Sequence, residues 1–189
     1  MVELERIRLM LENLGLAQAA LTLDSHLDYA ARTEITYLEF INRLLEDEAD
    51  FRRKRSEETR LKLSHLPHKK TLDDFDFSFQ PSIDERQIRE LATLSFVHRQ
   101  ENVILLGPPG VGKSHIAISL AVEAIRQGLS VYFVSMEKLL DDLRRANKEG
   151  RLHNRWKVYQ RPGLLVIDEI RYSQLDRVSG NLFFQLVCS

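Results

Sequence analysis

Residues 103–114 read Val-Ile-Leu-Leu-Gly-Pro-Pro-Gly-Val-Gly-Lys-Ser. A short apolar run breaks into glycines and prolines, ends in Gly112-Lys113-Ser114, and passes at once into a helical pattern through Arg126. The spacing Gly107-x-x-x-x-Gly112-Lys113-Ser114 meets the P-loop template at every fixed position. Glycines at 107, 110 and 112 let the backbone take positive φ and approach a ligand without a clashing Cβ. The loop N–H groups, with the positive end of the following helix, then form a cradle for a polyphosphate. Its binding set is Gly107, Pro108, Pro109, Gly110, Val111, Gly112, Lys113, Ser114 and His115. Lys113 is expected to place a point charge on the β and γ phosphates, and the Ser114 hydroxyl to ligate Mg²⁺. The bland alternative is a glycine-rich turn between a strand and a helix with no ligand. The complete pattern in a strand–loop–helix context argues against it.

A second stretch belongs with the first. Leu164-Leu165-Val166-Ile167-Asp168-Glu169 is an apolar run ending in adjacent carboxylates. A buried parallel strand has this composition, with the acids at its carboxyl end, where open α/β sheets bind ligands. Asp168 is expected to serve the Mg²⁺ shell and Glu169 to orient and polarise an attacking water. Alone, such a strand means little; downstream of a whole P-loop it points to a nucleotide hydrolase.

Composition sets the outer bounds. The chain has 189 residues, 43% hydrophobic and 29% charged, with 27 basic and 28 acidic side chains. That suits one globular domain with an appendage and excludes a wholly disordered chain. Cys188 is the only cysteine, which excludes an intrachain disulfide framework and a cysteine-based zinc site. No apolar run approaches the ~18–20 residues of a membrane span, and the N-terminus lacks the layout of a secretory signal. A soluble, cytoplasmic setting with no membrane partner is the default expectation.

Along the chain, Leu4, Ile7, Leu11 and Leu14 predict a helix over 3–14 with Gly15 as its stop. Leu16, Ala20, Leu23 and Leu27 continue as a second helix, and Thr33 is expected to cap a third carrying Tyr37, Ile41 and Leu44. Residues 1–66 therefore read as a small helical module for packing or partner binding, 67–81, with Phe75, Phe77 and Phe79, as a linker lying on the next domain, and 82–189 as the nucleotide-binding domain. In that domain Ser82-Ile83-Asp84-Glu85 is a capping-box pattern opening a helix to about His98. A strand at 103–106, a helix at 113–127 stopped by Gly128, a strand at 130–135, a helix bearing Leu139, Leu140 and Leu143, the strand at 164–167 and a last helix follow. This alternation predicts an α/β fold with a parallel sheet covered by helices on both faces.

Charge is segregated. Residues 51–70 carry eight basic side chains (Arg52, Arg53, Lys54, Arg55, Arg60, Lys62, Lys69 and Lys70) against Glu57 and Glu58, a balance of +6. Residues 144–161 carry Arg144, Arg145, Lys148, Arg151, Arg155, Lys157 and Arg161, with Trp156 and Tyr159 interleaved. Either stretch suits sequence-tolerant contact with DNA phosphates, and the second adds aromatic rings able to meet bases. Each equally suits a solvated helix face with i,i+4 ion pairs. His65 and His68 are three apart with no further ligand nearby, which argues against a metal site there.

Gly107-Pro-Pro-Gly-Val-Gly-Lys-Ser114 with Asp168-Glu169 resembles the AAA+ ATPases. Leu66-Pro67-His68-Lys69-Lys70-Thr71-Leu72, Val131-Tyr132-Phe133-Val134, Ile167-Asp168-Glu169-Ile170-x-Tyr172 and Asn181-Leu182-Phe183-Phe184-Gln185-Leu186-Val187 narrow it. Together they resemble IstB, the ATP-binding helper of insertion-sequence transposases, a relative of DnaC-type helicase loaders. The resemblance covers nearly the whole chain. It implies ATP and Mg²⁺ as cofactors, ATP hydrolysis in the full-length family, homo-oligomers assembled on DNA, and delivery of target DNA to a partner transposase.

The chain departs from the family in two ways. Arg171 and Ser173-Gln174 stand where members usually have Gly and Leu-Pro. The chain also stops at Ser189, so the resemblance implies an AAA+ domain truncated after the Walker B strand and the following helix. The later sensor strand, arginine finger and helical lid would be lacking, and with them the fourth strand, which in the family lies between the P-loop strand and the acidic strand. Hydrolysis is then doubtful in this chain. A helicase loader, sharing every nucleotide-binding residue, and a degenerate, inactive fragment stay open as alternatives. A small-molecule P-loop kinase is the weakest, because no acceptor pocket can be named.

Overall fold

The computed structural model describes residues 2–79, 83–170 and 176–188. Strands β1 (Val131–Ser135) and β2 (Leu164–Asp168) pair in parallel, Val131 opposite Leu164 and Ser135 opposite Asp168. Side chains alternate across such a pair, and both faces are covered. Val131, Phe133, Leu164 and Val166 pack with Leu94, Phe96 and Ala121, Ala124 and Ile125 of helix α6 (Lys113–Arg126). Tyr132, Val134, Leu165 and Ile167 pack with Leu139, Leu140 and Leu143 of α7 (Met136–Lys148). Tyr159 of α8 (Leu152–Gln160) and Leu182 and Leu186 of α9 (Arg177–Val187) complete that side. Burial on two faces is the reason both strands read as unbroken apolar runs. The α/β class expected from the sequence is the one that forms.

The strand predicted at 103–106 does not form. An apolar run becomes a strand only where a neighbour accepts its ladder of hydrogen bonds. The sheet among the described residues holds β1 and β2 alone. Leu105 packs with Ile116, Leu120 and Ile88, while Ile104 and Leu106 stand 74% and 83% exposed. The single helix predicted to His98 is two, α4 (Glu85–Leu91) and α5 (Ser95–His98), broken where Leu94 takes φ +58°. Leu94 is fully buried against the sheet, so packing imposes a conformation its own propensity opposes. The cap of α4 is Asp84, whose carboxylate accepts from the N–H of Arg86 and of Gln87. Ser82, Arg171, Tyr172, Ser173 and Gln174 lie outside the described residues.

By its contacts the chain divides into two units, 1–58 and 59–189. The first is helical: α1 (Val2–Asn13), α2 (Ala17–Thr33) and the start of α3 (Tyr37–Leu63). Ala19, Leu23 and Leu44 form its small core with Leu4, Leu11, Leu16 and Phe40. Thr33 does not cap α3; it ends α2, its hydroxyl bonding the Tyr29 carbonyl, and the Thr36 hydroxyl accepts from Glu39 N–H instead. A carboxylate from another helix caps α2. Glu48, 4% exposed, accepts from the N–H of Gln18 and of Ala19. Arg52 donates to Glu48 and to the Gly15 carbonyl. In the second unit the buried Ser64, just past α3, accepts through its carbonyl from Phe133 N–H at 2.7 Å, occupying part of the outer edge of β1. No helix among the described residues is long and apolar enough to cross a membrane.

Candidate functional site

The loop before α6 has the backbone its glycines permit: Gly110 at φ +84° and Gly112 at φ +94°. Residues 107–112 make the turn, and α6 begins at Lys113, so the first N–H groups of that helix, which have no intrahelical acceptor, look into the loop. Lys113 Nζ donates to the carbonyls of Gly107 and Pro108 at 2.8 and 2.7 Å. The ammonium is thus held inside the loop, where it adds to the positive end of α6.

Strand β2 brings the acids to this loop across 54 residues. Ser114 Oγ donates to Asp168 Oδ1 at 3.0 Å. The same oxygen accepts from Glu169 N–H at 2.8 Å. The structure therefore brings Ser114 and Asp168 together, with Lys113 preceding Ser114 at the start of α6 and the exposed Glu169 following Asp168. Glu169 sits at φ +58°, a conformation uncommon for a residue with a Cβ. Strain of this kind collects at functional sites. Nothing in the residue type announces it.

This donor set fits Mg²⁺. A serine hydroxyl and a carboxylate oxygen within 3.0 Å are two hard oxygen ligands converging on one point. Mg²⁺ takes one or two protein ligands and fills its octahedron with phosphate oxygens and water. Among the described residues no group of three or more His, Cys, Asp or Glu could hold a metal by itself, so substrate phosphates would complete this shell.

His115 behaves differently from the rest of the predicted set. Its ring leaves the loop: Nε2 donates to the Thr71 carbonyl at 3.0 Å, and the ring stands edge-on to Phe75 at 5.1 Å. Only its backbone stays with the cradle. Residues 71–77, read from sequence as linker, therefore touch the loop's first helical turn. Their aromatic spacing, Phe75-x-Phe77-x-Phe79, was the one available signal.

The basic stretch at 144–161 is corrected in its aromatic half. Tyr159 is buried in the core with α7 and α9, which takes its ring away from bases, and Trp156 is partly buried against the same core. Arg155 and Tyr159 both donate to Asp142, the latter at 2.6 Å. Burial and the Asp142 carboxylate push the Tyr159 phenol far above its ordinary range. Arg144 pairs with Asp141 and Arg151 with Glu149, which leaves Arg145, Lys148, Lys157 and Arg161 as exposed cations. In 51–70, Arg52 is spent on Glu48 and Arg53 pairs with Asp50, while Lys54 and Lys62 are exposed.

The profile of the IstB-like ATP binding protein family matches residues 9–189. A Geobacillus stearothermophilus protein, named as an ATP-binding protein of insertion sequence IS5376, is 46% identical over 97% of this chain and 73% of its own length. One from Pseudomonas aeruginosa, named likewise for insertion sequence IS21, is 42% identical over 97% of this chain and 69% of its own. A third, from Bacillus thuringiensis and named for IS232, is 41% identical over 94% and 71%.

Proposed function

This chain belongs to the IstB-like ATP binding protein family, and from that premise we propose that it binds ATP with Mg²⁺ at residues 107–115 and acts as a DNA-transposition helper. The observation that carries the nucleotide reading is the meeting of Ser114 and Asp168 at 3.0 Å, beside the Lys113 ammonium. A P-loop serine and a distant strand-end aspartate share a hydrogen bond where a metal-bound phosphate needs both. Ser114 and Asp168 would hold Mg²⁺, which when bound would supply neutralising charge to the phosphates. The backbone N–H groups of Gly110, Val111 and Gly112 and those of the first turn of α6 hold the phosphates. Lys113 exchanges its two loop carbonyls for phosphate oxygens. Glu169 orients and polarises the water for hydrolysis.

The relatives' names associate them with insertion sequences, which supports a partner transposase and DNA as the further partners. The exposed cations of the two basic stretches are the DNA contacts in this reading, and homo-oligomers are its working form. The test is a titration with Mg²⁺-ATP. Lys113→Ala should lose binding by tenfold or more, at least about 1.4 kcal/mol, and in a full-length version Glu169→Gln should keep ATP bound while hydrolysis stops. Equal affinity of parent and Lys113→Ala would remove the nucleotide from this loop.

A further inference from the structure

Gly112 is confined by a residue outside its own motif. A Cβ at Gly112 would fall 2.4 Å from Cε2 and 2.9 Å from Cζ of Phe75. The Phe75 ring is itself held, edge-on to Phe77 at 4.8 Å and to His115 at 5.1 Å. Leu72, Phe75 and Phe77 join Ile116 and Leu120 of α6 in one apolar cluster. The backbone beneath the ring is locked as well. Asp74 accepts from Thr71 N–H and from the Thr71 hydroxyl, both at 2.8 Å, and His115 Nε2 donates to the Thr71 carbonyl.

Glycines at 107, 110 and 112 give this loop backbone freedom to lose, which Pro108 and Pro109 restrict only at their own positions. Ordering it only on ligand binding would subtract that entropy from affinity, and pre-ordering removes the cost. The structure has one large rigid group against this loop at Gly112, and it comes from residues 71–77.

We propose that Phe75 is a positioning residue for the phosphate cradle: its ring sets the backbone at Gly112, and His115 keeps the ring in register through Thr71. This rests on the nucleotide reading above and adds to it a part that the P-loop motif does not contain. Phe75 acts through the loop backbone, so its effect belongs to the phosphates and not to the base.

The experiment titrates the full chain with Mg²⁺-ATP and, separately, with Mg²⁺ and inorganic tripolyphosphate, which has no base. Phe75→Ala should weaken both ligands by about the same factor, near tenfold, and Phe75→Leu, which retains apolar bulk, should recover part of it. His115→Leu should weaken both, and His115→Gln, which keeps a donor for the Thr71 carbonyl, should recover part of that loss. Should Phe75→Ala fail to fold, judged by the fluorescence of Trp156, the Phe75→Leu, His115→Leu and His115→Gln comparison carries the test. A loss confined to ATP would make Phe75 a base contact and overturn the proposal, as would unchanged affinity for both ligands. A parent that binds neither ligand would overturn the nucleotide reading itself, and this inference with it.

Discussion

The two basic stretches, 51–70 and 144–161, look alike as sequence and differ as structure. In the first, the cations lie along one helix and the segment after it, and one of them, Arg52, turns back to serve a buried carboxylate. In the second, the stretch folds over itself: α7 and α8 close on each other through Asp142, which binds Arg155 and Tyr159, and Trp156 packs below them. A count of charges treats the two as equal. What separates them is where the carboxylate that takes the arginine lies: Glu48 precedes Arg52 on the same helix, whereas Asp142 of α7 reaches Arg155 across to α8. Each engages one arginine in an ion pair within the fold.

Breaking the second network should have the largest effect. Asp142→Ala leaves the buried Tyr159 hydroxyl and the Arg155 guanidinium without their shared acceptor, at a cost of about 2–3 kcal/mol. Trp156 is the chain's one tryptophan and lies in this core, so its fluorescence during urea unfolding reports the destabilisation. Tyr159→Phe should cost less, since no charge is stranded.

Breaking the first should cost about 1–2 kcal/mol, the range for a missing helix cap. Glu48→Ala strands the N–H groups of Gln18 and Ala19. Far-ultraviolet circular dichroism should register the change, and the Trp156 fluorescence transition should stay in place. Movement of both transitions together would show that the two units unfold as one. The same carboxylate carries a pH dependence. Burial pushes Glu48 up, but the Ala19 N–H, Arg52 and the Gln18 N–H together hold it below the ordinary glutamate value of 4.5. Its contribution is therefore full above that value and is lost as pH falls through the depressed one. Glu48→Gln should abolish this acid-side component of the unfolding curve.

The smallest effects concern DNA. Alanine at Lys54 and Lys62 should lower affinity alike for unrelated duplexes. It should also flatten the slope of log affinity against log salt by ~0.9 for each phosphate that is no longer neutralised. Alanine at Arg145, Lys148, Lys157 and Arg161 is the matching set for the other stretch. Arg52 and Arg155 belong in neither, because their removal damages folding first. An unchanged slope in one set would return that stretch to a solvated face and leave the other as the interface.

Much of the site was legible because its chemistry is local. Glycine at fixed spacings, then lysine and serine opening a helix, is a motif because the backbone of a few consecutive residues makes the cradle. The acids at the end of an apolar strand were readable for the same reason, and Ser114 and Asp168 do meet. The parallel strands and most helices followed from periodicity, since their apolar faces are set by 2.0- and 3.6-residue repeats.

What the sequence by itself determined, then, is the glycine-rich loop, the serine and aspartate that meet beside it, the α/β class and the family. Tertiary structure alone decided the rest, because it depends on which groups arrive first at a shared position. The run at 103–106 has a strand's composition, and only the absence of a paired neighbour among the described residues keeps it from being one. Leu94 takes a left-handed backbone because burial of its side chain outweighs that local cost. Glu48 caps a helix that begins about thirty residues before it, and Phe75 stands over Gly112 from outside the motif. Local propensity is worth tenths of a kcal/mol to about one per residue, whereas burial of a large apolar side chain is worth about 1.5–3. Where the two disagree, packing wins, and packing partners distant in the chain leave no periodic trace in it.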